Sequence, residues 1–125
     1  MEIYESAEDY LEAILMLRLR NGHVRSVDVA EELGYSKASI SVAMKKLREN
    51  GYIAMDKDGI TLLPSGEAIA EHIYERHKFF TDYFISIGVN PETAREDACR
   101  IEHGISDETF TKLKAALAKH MEQKK

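Results

Sequence analysis

Residues 26 to 63 leave this chain few folds to choose from, because each element there carries its own start or stop signal. Ser26 can cap a short helix, Val27 to Leu33, which Gly34 then ends. A three-residue turn follows. Ser36 caps a longer helix with Ile40, Met44 and Leu47 on one face, and Asn50-Gly51 stops it. Tyr52 to Met55 and Ile60 to Leu63 are short apolar runs on either side of the charged turn Asp56-Lys57-Asp58-Gly59, which predicts a β-hairpin. Upstream, Ser6-Ala7-Glu8-Asp9 can cap a first helix that Leu11, Ile14, Leu15 and the run from Met16 to Leu19 continue to Asn21-Gly22.

Helix, short helix, turn, longer helix and hairpin, in that order and at that size, predict a winged helix-turn-helix. In such folds the second helix of the pair enters the major groove of DNA while its partner crosses the backbone. A net charge of −5 looks unfavourable for that role, since phosphate contacts supply much of the affinity. The charge is unevenly spread, however. Met16 to Lys57 hold eight Lys/Arg against five Asp/Glu, and the rest of the chain nine against seventeen. The pattern is a mildly basic reader beside an acidic region.

The second half reads as three helices. Pro64-Ser65-Gly66 opens one that runs to about Ile87, with Ile69, Ile73, His77, Phe80, Phe84 and Ile87 forming a single inward stripe at spacings of four and three. Asn90 and Pro91 open the next, expected to reach His103 before Gly104. Ser106 caps the last, whose stripe is Phe110, Leu113, Leu117 and Met121, with Asp107 and Glu108 suited to its positive end. Three apolar faces with little else to cover them favour a partner subunit. The fold expected is mainly α, with a winged domain over residues 1–71 and a helical metal-binding and dimerisation domain over residues 72–125.

Composition narrows the setting. No apolar run approaches the roughly 18 residues of a membrane span, and the acidic start Met1-Glu2-Ile3-Tyr4-Glu5 lacks the features of a signal peptide. Cys99 is the sole cysteine, so no internal disulfide can form and a cytoplasmic setting is expected.

Ligand-type side chains gather on three of these helices. Asp9 and Glu12 are three apart on the first, hence on one face. Cys99, Glu102 and His103 fall at i, i+3 and i+4 on the fifth, and His77 points inward from the fourth. Thiolate, imidazole and carboxylates converging from several helices are the ligand types that hold divalent transition metals. Each residue alone has a plainer role: Asp9 could complete a capping box with Ser6, Glu12 could be a solvated charge, and His77 a hydrogen-bonded core histidine. Cys99 could be a small buried hydrophobe, and Glu102 and His103 an ordinary helix end. Only jointly do they point to a metal. His23, His72 and His120 lack such company and read as surface residues.

The chain resembles the diphtheria toxin repressor and manganese transport regulator family of metal-dependent repressors over nearly its whole length. The resemblance is carried by Ser6-Ala7-Glu8-Asp9-Tyr10-Leu11-Glu12-Ala13-Ile14, the winged segment, Arg76-His77, and Asp97-Ala98-Cys99-Arg100-Ile101-Glu102-His103-Gly104-Ile105-Ser106. It implies a metal-dependent, homodimeric DNA-binding regulator of the short architecture, in which Asp9, Glu12, His77, Cys99, Glu102 and His103 hold the metal. The match is mixed between branches. Asp9 and Glu12 agree with the manganese branch, which has a glutamate in place of Cys99. Cys99 and Arg100 agree with the iron branch, whose second site would need a glutamate and a histidine where Thr81 and Arg95 stand. A thiolate among carboxylates shifts preference from Mn(II) toward Fe(II), with Zn(II) or Co(II) able to bind in vitro. The expected signal is therefore Fe(II) or Mn(II), with room for one ion or two.

For DNA contact the expected residues are Ser36, Lys37, Ala38, Ser39, Ser41 and Val42 on the reading helix, with Lys46, Arg25 and the wing residue Lys57 on the backbone of a palindromic operator. Two other classes of function compete. One is a winged-helix repressor sensing an organic ligand between Phe79, Phe80 and Phe84. The other is a metal-dependent hydrolase, disfavoured because no general base or oxyanion group accompanies the ligands.

Overall fold

The segment from 26 to 63 folds as its punctuation requires, with one shift. The computed structural model describes the backbone of residues 5–123 and the side chains of residues 6–119, so the expectations for His120 and Met121 lie outside the described side chains. The elements are α1 (Glu5–Asn21), α2 (Ser26–Leu33), α3 (Lys37–Glu49), β1 (Ile53–Asp56), β2 (Gly59–Leu62), α4 (Pro64–Ser86), α5 (Pro91–Ile101) and α6 (Asp107–Gln123). The chain divides into two compact units, Met1–His72 and Ile73–Lys125, with α4 running across the boundary.

In the first unit α1 and α2 pack together, as do α2 and α3, while α3 meets β1 and α1 meets β2. Leu11, Ile14, Val24, Val29, Ile40, Met44 and Ile53 are fully buried. The cap of α2 is Arg25 rather than the expected Ser26, which sits at the first helical position. A carboxylate does the work: Asp28 accepts from the Arg25 backbone N–H at 2.9 Å. Gly34 ends α2 in the left-handed conformation, φ 72°. Ser36 caps α3 as expected, its Oγ accepting from the Ser39 N–H at 3.1 Å. Ser6 lies inside α1, so the capping-box alternative for Asp9 loses its cap.

β1 and β2 pair antiparallel from Ile53–Leu62 to Asp56–Gly59. The turn is closed by the Asp58 N–H donating to Asp56 Oδ1 at 2.7 Å. The hairpin is pinned to the rest of the unit through the Ile60 N–H, which donates to Val24 O at 2.8 Å.

The second unit is built on an aromatic core. Phe80, Ala98 and Phe110 are buried, and Phe79, Phe84, Ile101, Ile105 and Leu113 pack against them. Asn90 caps α5 through its side chain, with Pro91 in the first turn, and Ser106 Oγ accepts from the Thr109 N–H at 3.2 Å at the start of α6. Two expectations need correction. The inward stripe of α4 stops at Phe84, because the chain turns through Gly88 at φ 102° and leaves Ile87 46% exposed. Helix α5 ends at Ile101, so Glu102 is its C-cap and His103 lies in the turn beyond.

Gly66 makes the closest backbone approach in the first unit: a Cβ there would fall 2.1 Å from Tyr52 O, the atom that accepts from the Leu63 N–H. Gly66→Ala is therefore expected to destabilise the protein by about 1–3 kcal/mol through overpacking, read as a lower urea midpoint at unchanged m-value.

Candidate functional site

Helix α4 carries Arg76 and His77 side by side, and α5 delivers Cys99 from its last turn and Glu102 from its C-cap. Glu102 is wholly removed from solvent. His77 Nδ1 lies 2.9 Å from Glu102 Oε2 and His103 Nε2 lies 3.4 Å from Glu102 Oε1. The second distance is long for a hydrogen bond, and Glu102 Oε1 accepts none among the described residues. A buried carboxylate is retained where it is paired or coordinates a cation.

The donor set fits a metal. One ligating atom from each of His77, Cys99 and Glu102 lies within 4.8 Å of the other two. Donors sharing one transition-metal ion at about 2.0–2.3 Å are roughly 3–4 Å apart, so a small side-chain adjustment suffices. Cys99 is exposed rather than a buried hydrophobe, which removes its plainer role and leaves the thiol accessible. His103 follows the helix end instead of extending it. It approaches the opposite carboxylate oxygen from His77, so the two imidazoles bracket one carboxylate.

Arg76 has a part that sequence reasoning did not assign. Its side chain is 3% exposed, and it donates to Glu102 O at 3.2 Å, to Ile105 O, and to Asp107 Oδ1 at 2.6 Å. Its guanidinium carbon lies 5.1 Å from the centre of the Phe110 ring. A usable signal was present: Arg76 stands three residues after Ile73 and four before Phe80, on the inward side of a helix otherwise apolar there. Of the two positions matched to the iron branch's second site, Thr81 is buried and Arg95 is exposed.

In the first unit Asp9 is half-buried and Glu12 buried, on consecutive turns of α1. Every residue expected to meet DNA is exposed: Arg25, Ser36, Lys37, Ala38, Ser39, Ser41, Val42, Lys46 and Lys57. Ser36 is engaged in capping, and its hydroxyl donates to Ser39 Oγ at 2.9 Å. Val42, 57% exposed, stands out as an apolar side chain on a polar helix face. Tyr35, at the head of the reading helix, was not singled out. It is 51% exposed and meets Tyr10 edge-to-face at 6.2 Å. An aromatic directly after the Gly34 stop is the feature that could have marked it. His23 and His72 are exposed, as expected.

The rings proposed to line an organic-ligand pocket fill their own space instead. Phe79 packs on Phe80 at 5.5 Å and on Phe110 at 5.7 Å, and Phe80 stacks on Phe84 at 6.1 Å.

Comparison with known proteins also divides the chain in two, with the junction between residues 59 and 63. The sequence profile for the N-terminal DNA-binding domain of iron-dependent repressors matches residues 2–59, and that for their metal-binding and dimerisation domain matches residues 63–124. The chain is 37% identical to the transcriptional regulator MntR of Salmonella typhimurium over 117 residues, 93% of this chain and 74% of that protein. It is 33% identical to the HTH-type transcriptional regulator MntR of Lysinibacillus sphaericus over 119 residues, 94% and 85% respectively. A solved manganese-dependent transcriptional repressor in complex with manganese superposes with a TM-score of 0.77 at 27% identity. The superposition covers 90% of this chain and 52% of that one, so this chain spans about half its length. The chain belongs to the iron-dependent repressor family, whose members are metal-dependent DNA-binding transcriptional regulators and not enzymes.

Proposed function

We propose that the chain acts in the cytoplasm as a homodimeric repressor of metal-uptake genes, activated by Fe(II) or Mn(II) and binding a palindromic operator. The metal ligands are Asp9, Glu12, His77, Cys99, Glu102 and His103. The observation that carries this reading is the meeting of imidazole, thiol and buried carboxylate at His77, Cys99 and Glu102, in a chain whose other unit is a winged helix.

A bound divalent cation supplies the positive charge and the coordination bonds that three carboxylates and a thiolate need in order to share one site. Without it, Asp9, Glu12 and Glu102 repel one another, which disfavours bringing α1 to the second unit. The arrangement of the two reading heads in the dimer then follows from which state the six ligands favour, and only their differential affinity moves the balance. Half-sites about one helical turn apart make that arrangement decisive for affinity. Cys99 tilts selectivity toward Fe(II), because a soft thiolate joins three carboxylates and two imidazoles in place of a further oxygen donor. Lys37, Lys46, Arg25 and Lys57 position the protein on phosphates, while Ser36, Ala38, Ser39, Ser41 and Val42 meet base edges.

Three outcomes are expected. Purified protein retards operator DNA with Fe(II) or Mn(II) and releases it on chelation, and Glu102→Gln removes the response; chelator-insensitive binding overturns the proposal. Cys99→Glu raises the affinity for Mn(II) relative to Zn(II) and Co(II), measured by competitive titration. Lys37→Ala weakens binding to all sequences alike and lowers the slope of log affinity against log salt by about 1.

A further inference from the structure

We infer that Arg76 is a positioning residue for the metal centre, holding the Glu102 backbone while the neighbouring His77 holds the Glu102 carboxylate. The inference rests on the metal-site reading above and extends it to a residue that is not a ligand.

Glu102 needs such support. It is the C-cap of α5, past the last regular turn, where backbone carbonyls have no intrahelical partner and the chain frays most readily. Its side chain is nevertheless the most buried of the candidate ligands. Arg76 resolves the conflict. One guanidinium nitrogen donates to two carbonyls of the connector, Glu102 O at 3.2 Å and Ile105 O, and the other donates to Asp107 Oδ1 at 2.6 Å, in the first turn of α6. Residues 102 to 107 are thereby folded around a single rigid fork. Only arginine can do this, since a lysine ammonium offers a point charge and no planar set of donors.

The same fork settles the local charge. A fixed cation one residue from His77 would oppose a second cation nearby. Asp107 neutralises it, though the Asp107 side chain itself is 80% exposed. The Phe110 ring, facing the guanidinium at 5.1 Å, adds a further attraction. Asp107 is thus the counter-ion of Arg76 and, through it, part of what keeps the centre receptive to a divalent ion.

The test uses the full chain with Co(II) as an optical probe and Mn(II) as the titrant. Arg76→Lys keeps the charge and removes the fork. Its metal affinity is expected to fall about 10- to 100-fold, the usual loss when an outer partner of a ligand is removed. The Cys99-to-Co(II) charge-transfer and ligand-field bands should change as well, a change that loss of stability alone would not produce. Asp107→Asn, at an exposed side chain, keeps the question answerable should Arg76→Lys fail to fold: it is expected to weaken metal binding several-fold in a protein that still folds. Wild-type affinity and spectra in Asp107→Asn, or in a folded Arg76→Lys, would overturn the inference while leaving the metal site intact, provided that Glu102→Gln abolishes binding. Should Glu102→Gln bind metal as the wild type does, the metal site and this inference fall together.

Discussion

A carboxylate held entirely away from water organises the second unit, and the cost of that burial explains its surroundings. Glu102 is fully buried, at a position where the helix has already ended. An isolated charge in such a place would cost several kcal/mol. The protein answers with two imidazoles on the side chain and a guanidinium on the backbone, and it leaves one carboxylate oxygen without a hydrogen bond among the described residues. That residual acceptor, beside an exposed cysteine, is what supports reading the cluster as the ligand set of the proposed function.

The aromatic core below it has a supporting part. Phe79, Phe80, Phe84 and Phe110 interlock at centroid separations of 5.5–6.1 Å. The ring of Phe110 also faces Arg76, so packing and the polar network meet at one residue. This continuity lets α4, α5 and α6 present their polar groups in fixed register, and fixed register is what selective coordination requires.

Much of this architecture was legible from residue order. Helix stops at Gly34 and Asn50, the cap at Ser36, the Asn90-Pro91 start and the hairpin all follow from side chains acting on their own backbone, and such local chemistry is visible in sequence. The shifts arose where a stronger local partner intervened. Asp28 moved the start of α2 by capping Arg25, and the turn through Gly88 carried Ile87 off the stripe. The ligand types at His77, Cys99 and Glu102 were legible as well. The position of His103 beyond the helix end was not, because a spacing of four residues assumes that the helix continues. Arg76 escaped notice for a related reason: its partners lie 26 to 31 residues away, and no periodicity reports a contact of that range.

The short hydrogen bond from the Ile60 N–H to Val24 O has a bearing on discrimination between DNA sites. It makes the wing and the loop leading into the helix pair one body, so the hairpin has little freedom to settle on a phosphate independently of α3. Under the proposed function, such a head would engage its DNA as a whole: a site that displaced the helix from the groove would lift the wing from the backbone too. Mismatch penalties then accumulate across both grips, and less conformational freedom remains to be lost on docking. On that reading, rigidity within the head would sharpen the rejection of near-cognate sites without any additional contact to a base.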